Sequence, residues 1–155
     1  MRTCFSVQAL TLVGVIEALK ADIEAGYVDS LRVLVHAELF ADFIEMSEHL
    51  LAEGYKDAAA VIGGSSLESH LRQLCVKNGL SVTQASAKGI RPKKADTLNS
   101  ELAGASVYSK LDQKSVTSWL DLRNKAAHGH YGDYTKDQVA LLLQGIQDFM
   151  ARNPA

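Results

Sequence analysis

The sequence contains few of the residues that mark a secreted, membrane-spanning or disordered chain. Its 155 residues include two cysteines, Cys4 and Cys75, which are too few for a disulfide framework and lack the spacing of a zinc site. No apolar run approaches the roughly 20 residues that a membrane-spanning helix needs. The composition, 47% hydrophobic and 22% charged, is that of an ordinary globular domain. Because the N-terminal residues show no signal-peptide pattern, we expect a cytoplasmic protein with reduced thiols and no membrane association.

Proline is also scarce, and the alternation of apolar and polar residues that indicates a half-buried strand is absent. Apolar residues recur instead at helical spacing. This pattern predicts helices at about 6–26, 30–53, 56–78, 96–103 and 112–128, and a last helix between Thr135 and Asn153. Residues 80–95 break the pattern and are predicted to form the longest loop. The predicted fold class is all-α, an antiparallel helical bundle of four to five main helices in a single domain over 1–155.

Glycine and capping residues define the predicted helix ends. Thr135 and Gln138 have the spacing of a capping box. The Gly63-Gly64 pair lies inside the third predicted helix, where a glycine on the core side allows a neighbouring helix to approach closely. Helix stops are predicted at four glycines: Gly26, Gly54, Gly79 and Gly129.

Charge is distributed unevenly along a chain whose formal net charge is −2. Residues 1–80 carry a net charge of −5, and residues 81–155 carry +3. Any site that binds an anion is therefore expected in the second half of the chain. The alternative is a random scatter of charges on a solvated surface.

Several common catalytic signatures are missing. There is no Gly-rich phosphate loop after a strand, no HExxH and no CxxC. His128 and His130, with Asp133 nearby, offer ligands for a first-row metal. Since a His-x-His on a turn is more often only a turn, we predict neither a metal site nor a cofactor.

The segment from Trp119 to Gly129 reads WLDLRNKAAHG and carries the strongest functional signal. Arg123 is followed directly by Asn124 and, after four intervening residues, by His128; His130 also fits, with six residues between. This pattern at the end of the penultimate helix resembles the signature of the HEPN superfamily. The stretch 50–79 is similar to the central helices of bacterial HEPN-type domains. The resemblance covers about residues 30–152 and leaves 1–29 outside.

The resemblance implies a helical bundle that forms a homodimer. In active members, RNA is cleaved without a metal, because the ribose 2′-hydroxyl attacks the adjacent phosphate and leaves a cyclic phosphate. Such members act as effectors of toxin–antitoxin or phage-defence systems, and the partner would be a cognate antitoxin or a nucleotidyltransferase. Other members have lost activity and bind a nucleotide, RNA or a partner protein, which is the alternative function.

The motif residues suit that chemistry. Arg123 offers a permanent charge and a planar fork for phosphate oxygens. His128 ends a helix, where the dipole favours the protonated imidazole of an acid–base catalyst. Asn124 shares a helix face with His128 and is expected to orient the imidazole or to hold a phosphate oxygen. Neither Arg123 nor His128 is expected in the core. The alternative is that cationic residues in a last helical turn only complement the dipole.

Other residues are weaker candidates for substrate binding, and each has a structural alternative. Glu68 and Arg72 match an i, i+4 salt bridge on the third helix, and the alternative is a role near the site of Arg123 and His128. Tyr131 and Tyr134 have rings that stack on unpaired bases or pack over a helix end. The remaining candidates, which are cationic or titratable, are Lys125, His130, Arg91, Lys93 and Lys94, the last three in a basic loop with Lys88.

Overall fold

The computed structural model describes the backbone of residues 3–87 and 89–155, and the side chains of 13–26, 38–87 and 89–155. Within these residues the chain is mostly helical, as predicted, and each predicted helix lies within three residues of its expected bounds. The elements are α1 (Thr3–Glu24), α2 (Tyr27–Ala52), α3 (Lys56–Lys77), β1 (Thr83–Ser86), β2 (Gly89–Pro92), α4 (Ala95–Gly104), α5 (Lys110–Ala127) and α6 (Lys136–Arg152).

The chain divides into two compact units, Met1–Glu38 and Leu39–Ala155. The first contains α1 and the start of α2. Its described side chains include a set of large apolar residues on α1 that are at least half exposed: Val13, Val15, Ile16, Leu19 and Ile23. No helix among the described residues is long and apolar enough to span a bilayer.

The segment predicted to be a loop contains a short β-hairpin, so the prediction of a loop throughout residues 80–95 was wrong. β1 and β2 pair antiparallel, with Thr83 opposite Pro92 and Ser86 opposite Gly89. Neither face of this hairpin is covered, and its residues are exposed or only partly buried. Without a buried face the strands do not need alternating apolar residues, which is why the period-two pattern is missing from the sequence.

In the second unit, α5 and α6 pack antiparallel. The Trp119 ring lies against Gly145, where an added Cβ would overlap the indole. Seven residues earlier on α5 and seven residues later on α6, Asp112 pairs with Arg152 at 3.0 Å. A glycine at position 145 therefore lets the large Trp119 ring pack between α5 and α6.

α3 is the central helix of the second unit and contacts α2, α4, α5 and α6. It runs parallel to α6, because Gly63 lies against Leu143 and His70 against Phe149. The Ser47 hydroxyl of α2 also reaches Gly63. The fully buried side chains that these helices share include Leu67, Leu71, Leu74, Val116, Leu120, Leu142 and Ile146.

Helix ends follow the predicted signals. Gly54, Gly79 and Gly129 have φ angles of +92°, +70° and +83°. After Gly129, the N–H of His130 donates to the Lys125 carbonyl at 2.9 Å, which satisfies a carbonyl of the last turn. The capping box at Thr135 is formed as predicted.

A histidine is buried in this core. His70 is almost fully buried between the rings of Phe40 and Phe149, both in edge-to-face geometry. Its Nε2 donates to the Asn153 carbonyl just after α6, at 2.8 Å. Burial lowers the pKa of His70 below its ordinary value of 6.5, and nearby Lys77 lowers it further, while the bond to Asn153 acts in the opposite direction.

We predict that the protein loses stability as the pH falls from 7 to 5. Because the unfolded chain binds the His70 proton more readily than the folded one, the stabilisation is complete above pH 6.5 and declines below it. His70→Gln keeps a donor for the Asn153 carbonyl but does not titrate, so its melting temperature should change less over this range. Thermal melts followed by circular dichroism measure the effect. Exposed His49→Gln is the control, and an equal flattening in that variant would assign the pH dependence to another group.

Candidate functional site

The motif residues lie at the end of α5, as the sequence predicts. α5 begins at Ser109, whose hydroxyl accepts from the Asp112 N–H at 3.0 Å, and ends at His128, the C-cap residue. The side chain of His128 is exposed. Since an α-helix rises 1.5 Å per residue, Arg123 and His128 are about 7.5 Å apart along the axis.

Arg123 is more enclosed than expected, with only 19% of its side chain exposed. Its aliphatic stem passes directly over Gly64 of α3, where an added Cβ would overlap both Cβ and Cγ of the arginine. Its Nη2 donates to the Glu68 carboxylate, and its Nη1 donates to Asn124 Oδ1 at 3.1 Å. Arg123 Nε is buried and has no hydrogen-bond partner among the described residues. The guanidinium is therefore fixed on the surface of α3.

Glu68 joins two arginines. Its Oε2 accepts from Arg123, and its Oε1 accepts from Arg72 Nη2 at 2.8 Å. The same Arg72 nitrogen donates to the Lys93 carbonyl at 2.9 Å, just beyond β2. We call Arg123, Glu68 and Arg72 the arginine–glutamate cluster. With two cations and one anion, the cluster carries a net charge of +1.

The i, i+4 pair of Glu68 and Arg72 was predicted, with a role near Arg123 as an alternative, but the ion pair between Glu68 and Arg123 was not predicted. A usable signal was present: Gly64, Glu68 and Arg72 recur every four residues and so form one line along α3. A glycine on this line marks the place where the next helix comes close. The identity of that helix depends on tertiary packing.

The Asn124 side chain does not orient the His128 imidazole. Its amide oxygen accepts from Arg123, and within the described residues no hydrogen bond links it to the imidazole. The two residues are joined through the backbone, where the His128 N–H donates to the Asn124 carbonyl at 3.0 Å. The Asn124 amide oxygen therefore holds the guanidinium, which is neither of its two expected roles, orienting His128 or holding a phosphate oxygen.

His128 and His130 are both exposed on the turn after α5. No hydrogen bond to either ring is present among the described residues. In the same part of the chain, no group of three or more His, Cys, Asp or Glu side chains is arranged to hold a metal ion.

The turn that carries these histidines is fixed to the start of α3. Tyr134 is buried, and its hydroxyl donates to the Asp57 carboxylate. Burial and the Asp57 carboxylate both raise the pKa of Tyr134, so the hydroxyl stays protonated and can donate. Lys56 Nζ lies 4.0 Å from the Tyr134 ring centroid and donates to the Tyr131 carbonyl at 2.6 Å. Since the Tyr131 ring is exposed, it is the one of the two that a base can reach.

The other predicted binding residues fall into two groups. Lys125 and Lys93 form ion pairs, with Asp121 at 3.5 Å and with Glu101 at 2.7 Å. In the second group, the side chains of Arg91 and Lys94 are exposed and form no ion pair with any described residue. Lys88 lies outside the described residues.

No protein-family model matches the chain, and no curated protein matches it. The likeness to the HEPN superfamily therefore rests on the segment from Trp119 to Gly129 and on the stretch 50–79.

Proposed function

We propose that this chain is a metal-independent endoribonuclease of the HEPN type. The observation that carries the proposal is the fixed position of Arg123, held by Gly64, Glu68 and Asn124 on the same helix end that presents an exposed His128. This arrangement supplies a preorganised cation and an acid–base group, which are two of the three groups that RNA cleavage by a 2′-hydroxyl needs. The third is a second acid–base group.

In the proposed reaction, a histidine takes the proton from a ribose 2′-hydroxyl, and the oxygen attacks the adjacent phosphorus. The bond to the 5′-oxygen breaks, and that oxygen receives a proton from a second acid. The products are a 2′,3′-cyclic phosphate and a free 5′-hydroxyl. Arg123 stabilises the negative charge that builds up on the phosphate oxygens. Because Arg123 is already bound to Glu68, the phosphate approaches a cluster of net charge +1 rather than a free arginine.

The need for a base and a separate acid motivates a homodimer in which two copies of the motif face each other. Each copy then supplies one Arg123 and one His128, and a phosphate between the two arginines offsets their repulsion. Exposed apolar side chains on α2 support association: Leu39, Phe43 and Met46. They adjoin a cleft of about 300 Å³ between α2 and α3, lined by Phe40, Val61 and Ile62 among others. We further propose that the fold is a HEPN-like antiparallel bundle. The protein would then act in the cytoplasm, with an antitoxin or a nucleotidyltransferase as its partner.

A second candidate function is a non-catalytic module that dimerises and binds a nucleotide, RNA or a protein. One observation favours it: Arg123 is mostly buried and paired with Glu68, which is also the environment of a structural arginine. The two functions differ in whether His128 is needed for a chemical step.

We predict that His128→Ala lowers RNA cleavage by about 10²–10⁴-fold, the usual contribution of an acid–base group. Since His128 is exposed, the melting temperature should stay within a few degrees of wild type. Gel analysis of a labelled RNA measures the rate, and cleavage should persist with excess chelator. His130→Ala is the matched control and should lose less. Unchanged cleavage in His128→Ala with a loss in His130→Ala would assign the role to His130, whereas unchanged cleavage in both His128→Ala and Arg123→Ala would favour the binding module.

A substitution at Gly64 tests whether the contact between Gly64 and the Arg123 stem is needed. Gly64→Ala places a methyl group where the arginine stem lies, so we expect both lower stability and at least tenfold slower cleavage. The control is Gly104→Ala at the end of α4, where an added Cβ meets nothing within 4 Å. Differential scanning calorimetry and cleavage assays compare the two variants. Gly64→Ala with wild-type melting and cleavage would show that the position of Arg123 is unimportant.

The composite site predicts that an inactive chain suppresses wild type. When wild-type chains are unfolded together with an excess of His128→Ala chains and refolded as a mixture, the activity per wild-type chain should fall, because mixed dimers contain only one of the two histidines that the reaction needs. Light scattering should show twice the chain mass at micromolar concentration. A monomeric protein, or a mixture whose activity per wild-type chain is unchanged, would contradict the shared site.

A further inference from the structure

The hairpin and its flanks, from Gly79 to Ala95, form a segment that we call the hairpin arm. It contains no acidic residue, although the whole chain carries 18 Asp and Glu. Its cations are Lys88, Arg91, Lys93 and Lys94. A segment that carries only positive charge is complementary to a polyanion.

The arm is anchored at its base and uncovered beyond it. Leu80 and Val82 pack against the core, and the Lys93 N–H donates to the Val82 carbonyl at 2.9 Å. Further out both strand faces are exposed, and Ile90 is 81% exposed. An isolated two-stranded hairpin is only marginally stable in water. The exposed strand faces are therefore accessible to a ligand.

Two of the arm's cations are free to bind an anion. Lys93 is occupied, because its Nζ pairs with Glu101 and only 13% of its side chain is exposed. Arg91 and Lys94 are exposed and form no ion pair with any residue that the structure describes. Arg91 lies directly opposite Gln84 in the hairpin, so a guanidinium and an amide project from one face. Both groups are hydrogen-bond donors for phosphate oxygens.

The base of the arm is joined to the candidate site. Arg72 donates from one nitrogen to the Lys93 carbonyl at the base of the arm and to Glu68, and Glu68 accepts from Arg123. Three successive hydrogen bonds therefore connect the arm to the motif arginine. The base of the arm therefore adjoins the arginine–glutamate cluster.

We propose that the hairpin arm binds the backbone of a single-stranded RNA, with Arg91 and Lys94 contacting its phosphates, beside the arginine–glutamate cluster. The inference rests on the proposed function and names the surface that receives its substrate. A single strand is favoured because in-line attack by a 2′-hydroxyl needs a ribose and phosphate that can rotate, which a paired helix resists.

The test is fluorescence anisotropy with a labelled 2′-O-methyl 12-mer RNA, which binds but cannot be cleaved at its blocked hydroxyls. We expect Arg91→Glu/Lys94→Glu to weaken binding at least tenfold. The slope of log K against log salt should fall by about 1.4, since each single-strand phosphate contact contributes about 0.7. The matched control is Lys110→Glu/Lys114→Glu, an equal charge reversal at exposed positions of α5, which should weaken binding less than threefold. Circular dichroism melts check that both variants fold.

Equal losses of RNA affinity in the two double variants would show that the arm contributes only to the general electrostatic attraction of the protein. That result would overturn the proposal. Unchanged binding in the arm variant would do the same. If wild-type protein does not bind the RNA and the arm substitutions instead abolish co-purification with a protein, the arm is a protein interface. Because the probe is uncleavable, binding through the arm without cleavage of ordinary RNA would refute only the nuclease function.

Discussion

The candidate site depends on the close contact of α3 and α5 at Gly64. A glycine at this position lets the Arg123 stem lie on the helix surface, which brings its guanidinium to Glu68. Glu68 in turn holds Arg72, and Arg72 holds the base of the hairpin arm. The missing side chain at position 64 thus determines where Arg123 meets the pair of Glu68 and Arg72, which is also bound to the base of the arm. A larger residue at position 64 would displace the Arg123 stem.

The pairing of Arg123 with Glu68 changes how the site is expected to treat anions. A free guanidinium attracts any phosphate, whereas a paired one binds an anion only if the gain exceeds the loss of its present contact. The site therefore favours ligands that also contact other groups, such as a strand held along the arm. We therefore expect this surface to bind small anions weakly and a polymeric anion more tightly, because the polymer makes several contacts at once.

Local features of the fold could be predicted from the sequence, and long-range ones could not. Periodicity located the helices, and Thr135 with Gln138 fixed the start of α6, because those signals act within a few residues. The hairpin was missed because its strands bury no face. The contact of Arg123 with Glu68 spans 55 positions, and that of Tyr134 with Asp57 spans 77. Such contacts follow from helix packing, which no local pattern encodes. The motif itself could be found, but the enclosure of its arginine could not.

Both strands of the hairpin are edge strands, since the described sheet contains no third strand. Open backbone donors and acceptors of this kind invite pairing with a strand from another molecule, the first step of edge-to-edge aggregation. Here each strand has only four residues, and β2 contains Arg91 and ends in Pro92, with Lys93 and Lys94 following. Two such arms repel each other, so the charge that suits a polyanion also keeps copies of this chain from joining through their sheets.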